Sequence, residues 1–160
     1  MNWVNVVRWV HVVAGISWLG EVLTINLVLV PALVSLNKEA RRAFIHQVFP
    51  RVFRLASILS ATAVISGLVL NYLMTGWTDL GALLRSRWGI SILVGGSLGL
   101  LLTLFHFFVE TRLEPTAHTA DNISDSEVEK IVSVLNLVPK IGMLIIVVVV
   151  LLMMYAARGL

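Results

Sequence analysis

Residues 141–157 read IGMLIIVVVVLLMMYAA, a run with no charged side chain, bounded by Lys140 and Arg158. Three other stretches have the same character. Residues 55–78 and 88–109 carry no charge, and residues 9–37 carry one, Glu21. The hydrocarbon core of a bilayer is about 30 Å thick and takes about 20 apolar residues in a helix. Inside lipid the backbone must close its own hydrogen bonds, which excludes open strands and loops. The expectation is therefore an all-α chain: an integral membrane four-helix bundle in a single domain, 1–160. Its spans fall at about 6–30, 53–74, 88–109 and 138–157.

Composition agrees. Of 160 residues, 58% are hydrophobic and 13% charged, and the mean hydropathy is +0.93. A soluble domain carries about 25% charged residues. The net charge is only +3, which argues against a nucleic-acid module. The chain has no cysteine, which removes disulfides, thiolate metal sites and cysteine nucleophiles. The first span is too long for a cleaved signal peptide and carries His11 and Glu21; Pro31 marks its end or a kink.

The basic residues orient the spans. The side of the termini holds Arg8, Arg85, Arg87 and Arg158. The side of the loops after spans one and three holds Lys38, Arg41, Arg42, Arg51, Arg54, Arg112, Lys130 and Lys140. The excess of basic residues places the loop side in the cytoplasm and both termini outside. Trp3, Trp9, Trp77 and Trp88 fall at the terminus-side boundary as an aromatic belt. Both cytoplasmic loops read as short amphipathic surface helices. Ser35 caps one through Phe49, and Pro50 suits the first turn of the next helix. Ser124-Asp125-Ser126-Glu127 is a capping box, followed by Val128, Ile131, Val132 and Leu135 at helical spacing. Pro139 restarts or kinks the helix into the last span.

Ionisable groups at membrane depth are costly and mark candidate sites. There are three: His11, Glu21 and His106. His11 shares a face with Gly15, which leaves room for a flat macrocycle, and neutral imidazole is a common metal ligand. The competing role is an interfacial histidine bonded to a backbone carbonyl. His106 shares a face with Gly95 and Gly99, a small-xxx-small pattern that favours close helix packing and permits a dimer. At about 1.5 Å per residue the two histidines stand more than about 20 Å apart along the membrane normal, so they cannot hold one iron. Asn71, Tyr72, Met153 and Met154 are candidate partners on the terminus side, and His46 and His118 on the loop side. Arg85 and Arg87 are candidates for haem propionates or lipid phosphates. Glu21 is a candidate proton or polar relay, pairing with Asn71 or a serine.

Trp9-Val10-His11-Val12-Val13-Ala14-Gly15-Ile16-Ser17-Trp18-Leu19-Gly20, with the run ending Val30-Pro31-Ala32-Leu33, is similar to the first helix of the CopD-like membrane proteins and of HemJ. Arg51-Val52-Phe53-Arg54, Ser66-Gly67-Leu68, Arg87-Trp88-Gly89 and Phe105-His106 extend the resemblance over residues 5–110. It implies a four-helix membrane unit. On the HemJ side it implies b-type haem, with His11 as a ligand, and protoporphyrinogen oxidation. On the CopD side it implies copper uptake. The lysine that the family carries in its third helix has no counterpart, since this span contains none. The leading expectation is a membrane protein binding one or two b haems per chain through His11, His106 or both, transferring electrons with a quinone or redox protein as partner, in a prokaryotic plasma membrane. The alternatives are a copper or other cation transport unit and a cofactor-free accessory subunit.

Overall fold

The computed structural model describes residues 2–78, 80–118 and 124–158, with the backbone alone at 80 and 114–118. These residues are almost entirely helical and contain no strand. Helix α1 covers Trp3–Thr24 and passes through a widened π turn, Ile25–Leu29, into α2, Val30–Ser35. Then come α3 (Lys38–Thr75), the short α4 (Leu80–Arg85), α5 (Arg87–His118) and α6 (Asp125–Arg158). Four helical stretches are long and apolar enough to cross a membrane: Trp3–Ser35, Lys38–Thr75, Arg87–Leu113 and Asp125–Arg158.

The prolines shape these helices without ending them. A proline ring presses on the carbonyl four residues back and donates no hydrogen bond. For Pro31 that carbonyl belongs to Leu27, inside the π turn, so the widened turn takes up the misfit. Pro50 and Pro139 lie inside continuous helices. The expected surface helices before them are therefore extensions of α3 and α6, with Asn37 rather than Ser35 as the cap: its Oδ1 accepts from the Ala40 amide at 2.9 Å. The capping box at Ser124 forms, with the Ser124 amide donating to Glu127 Oε2 at 3.0 Å.

The extensions do not lie apart from the spans. Val128, Ile131, Val132 and Leu135 of α6 pack on Leu33, Ile45, Phe49 and Phe53 in one buried cluster at the loop end. A second cluster, Ala14, Trp18, Val22, Ala63, Leu102 and Ile146, fills the middle. Helix α1 lies against α3, α3 against α5, α5 against α6 and α6 against α1. Around this narrow core the outward faces are apolar: Ile16, Leu27, Leu101 and Leu144 are all more than 60% exposed. An exterior so rich in exposed large apolar side chains is not that of a water-soluble monomer.

Candidate functional site

His11 is held by α3. A carbonyl can only accept, so its Nδ1 carries the proton and donates to Ala63 O at 2.8 Å. The ring lies against Gly67, where a Cβ would come within 2.9 Å of His11 Cε1 and 3.1 Å of Nδ1. Nε2 is then the ring nitrogen left over, and it has no hydrogen-bond partner among the described residues. A metal-binding histidine shows this arrangement, its other nitrogen oriented by a carbonyl. At Gly15, one turn on, a Cβ would meet nothing within 4 Å.

His106 is placed differently. Its Nε2 is 2.9 Å from Ser57 Oγ, and that hydroxyl donates to Glu110 Oε2 at 2.5 Å. A hydroxyl has one proton, so Ser57 accepts from His106 while it donates to Glu110. Glu110, one turn along α5, stands 3.9 Å from His106 Nε2. The nitrogen that would bind iron is thus engaged by protein.

His106 also lines a cavity of about 90 Å³ between the helices, partly open to the outside. Its wall is almost wholly apolar, from Trp18, Phe53, Leu102, Phe105, Leu135 and others, and Glu21 is its second ionisable group. Both carboxyl oxygens of Glu21 are buried without a hydrogen-bond partner. The expected pairing of Glu21 with Asn71 or a serine is absent. Asn71 Oδ1 instead accepts from Trp77 Nε1 at 2.9 Å, fixing the turn after α3, where Gly76 takes φ +59°.

The remaining candidates are dispersed. Arg85 ends α4 and Arg87 opens α5, both exposed at the same end as His11. His46 lies on the loop-end extension of α3 and is engaged within the protein. The side chain of His118 lies outside the described residues. Met153 packs on Gly95, where a Cβ would meet its Cε at 2.7 Å, so the glycine face of α5 serves the α5–α6 contact. Among the described residues no three His, Asp or Glu side chains gather in a way that could hold a metal ion. An iron already held by a porphyrin needs only one or two protein ligands.

Asn26, not among the residues singled out from the sequence, is buried. Asn26 Nδ2 donates to Val22 O at 2.8 Å and to Pro139 O at 2.9 Å, tying the π turn to α6. An asparagine inside an apolar run is signal enough, since a buried amide must find partners.

Compared with known proteins, the chain matches no family model, no curated protein and no solved structure.

Proposed function

We propose that this chain is an integral membrane four-helix protein that binds one b-type haem through His11, with the loop end in the cytoplasm and both termini outside. The observation that carries the reading is the state of the His11 ring: anchored on Ala63 O through Nδ1, with Nε2 free to take iron. A merely structural histidine would share the first half of that description. A macrocycle bound there would lie along the bare backbone at Gly15, where a Cβ would meet nothing within 4 Å. The cavity beside His106 is too small for a macrocycle, and the Nε2 of His106 is occupied, so the reading favours one haem over two. Arg85 and Arg87, exposed at the same end as His11, are the cations available to propionates. Bound haem supplies one-electron chemistry tuned by its axial ligand and the polarity around it, and a quinone or small redox protein would be the exchange partner. The chain's own contribution is to orient His11 through Ala63 and keep the centre dry with Trp18, Leu102 and Ile146.

The test is spectroscopic. Protein purified in mild detergent from haem-replete cells should show a Soret band, shift on reduction and yield about one haem per chain as pyridine haemochrome. His11→Ala should lose the band, and His106→Ala should keep it. A colourless preparation, or pigment retained by His11→Ala, overturns the reading.

A further inference from the structure

The loop-end half of the interior holds a second set of polar groups that haem binding at His11 does not use. Glu110, Ser57 and His106 form one hydrogen-bonded row: Glu110 Oε2 to Ser57 Oγ at 2.5 Å, and Ser57 Oγ to His106 Nε2 at 2.9 Å. Glu110 lies one turn nearer the loop end of the third span than His106; the two side chains keep 14% and 17% of their exposure, so it is position along the helix that makes Glu110 the outer member. The inner member, His106, faces the cavity that Glu21 also lines. That cavity has room for a few waters. A polar site is what retains water in such a space, and Glu21 offers two buried oxygens with nothing bonded to them.

We infer that this row and cavity form a dead-end proton path, leading from the loop-side surface through Glu110, Ser57 and His106 to Glu21. The occupants of the cavity are waters that join His106 to the Glu21 carboxyl. In the arrangement observed, Ser57 donates outward to Glu110. For inward transfer His106 starts in its Nδ1–H tautomer with Nε2 bare; the Ser57 hydroxyl rotates, Glu110 hands a proton to Ser57 Oγ and Ser57 hands its own to His106 Nε2. The imidazole then releases its other proton into the cavity. Each group gives up one proton as it accepts one, and Glu21 keeps the last, so no oxidant or co-reactant is required. The path stops at Glu21. Toward the terminus end it meets the apolar cluster of Ala14, Trp18, Val22, Ala63, Leu102 and Ile146. Among the described residues His106 is the only other ionisable group on the cavity wall; α3 contributes Phe53 and Ala56, and α6 contributes apolar residues and Gly142. This inference stands independently of haem.

The experiment is infrared spectroscopy of the full chain in lipid vesicles, at a pH low enough to protonate Glu21, with exchange from H2O into D2O. Glu21→Gln identifies the carboxyl C=O band by removing it. In the wild type that band should shift within the first spectrum after exchange. In Ser57→Ala and in His106→Phe it should remain but exchange at least about tenfold more slowly, as expected when a positioned proton carrier is lost. Vesicles loaded with a pH dye should show no proton leak above protein-free lipid, because the path is closed at its inner end. Equal exchange in all variants overturns the path, and so does a Glu21 band that never exchanges or never appears. A steady proton leak overturns the dead end. Haem content, read on the same samples, reports separately on His11.

Discussion

At the scale of single residues, the two interior histidines show how little the residue type decides. Both are expected from cost alone, as ionisable groups in apolar helices. Their environments separate them: a backbone carbonyl on Nδ1 for His11, a serine on Nε2 for His106. The glycine beneath His11 gives a direct test. A methyl at Gly67 would come within 2.9 Å of the ring, so Gly67→Ala should push His11 off Ala63 O. We expect a loss of about 1–3 kcal/mol, typical of overpacking, seen as a lower melting temperature in detergent. If haem is bound, its Soret band should weaken in parallel. Asn26 gives a second test. Asn26→Leu removes both amide bonds and leaves Pro139 O without this partner. Interhelical hydrogen bonds in membranes are worth about 0.6–2 kcal/mol, so a loss of that size is expected in thermal or denaturant unfolding.

At the scale of elements, helix continuity departs most from sequence expectation. Pro50 and Pro139 read as boundaries, because proline favours a first helical turn. Each is instead carried within a helix of more than 30 residues, because Ile45, Phe49 and Phe53 on one side meet Val128, Ile131 and Leu135 on the other. Burial of these side chains, continued beyond Pro139 by Ile146 in the middle cluster, outweighs one missing hydrogen bond. The turn between α4 and α5 rests on a closer contact. At Gly89 a Cβ would run into Leu83 O, a backbone atom that cannot swing aside. Gly89→Ala should therefore force α4 away from α5 and cost about 3 kcal/mol or more, measurable as faster hydrogen exchange over Leu83–Ser91. The charged loop end adds a pH-dependent clasp. Asp125 accepts from Lys38 at 2.8 Å and from Arg42 at 2.7 Å, and these bonds hold its carboxyl below the ordinary value of 3.8. A depressed folded-state value means the clasp is present above the ordinary carboxylate range and is lost as pH falls through the folded-state value. The first turn of α6 should then loosen only below about pH 4, with faster exchange of the Val128–Leu135 amides. Asp125→Asn should weaken that acid response, leaving the part carried by Glu127 in the capping box.

At the scale of the whole molecule, the exposed apolar belt and the polar ends make a statement about surroundings that can be checked directly. Because the chain has no cysteine, single cysteines placed at Arg85 and at Lys130 should react with an impermeant maleimide from opposite sides of intact membranes. The same-side result would overturn the proposed topology. Four helices long and apolar enough to cross a membrane, the capping box and the places of His11, Glu21 and His106 within those helices were legible from the order of residues. Charge-free runs of this length can satisfy their backbone only as helices, and a lone ionisable group among them is conspicuous. The sequence could not show which nitrogen of which ring is free, that Ser57 and Glu110 converge on His106, that Glu21 shares a cavity with it, or that Asn71 is spent on Trp77. Those facts depend on how four helices are rotated and shifted against each other. That docking is set by the fit of many small apolar contacts, which leaves no periodic trace along one chain.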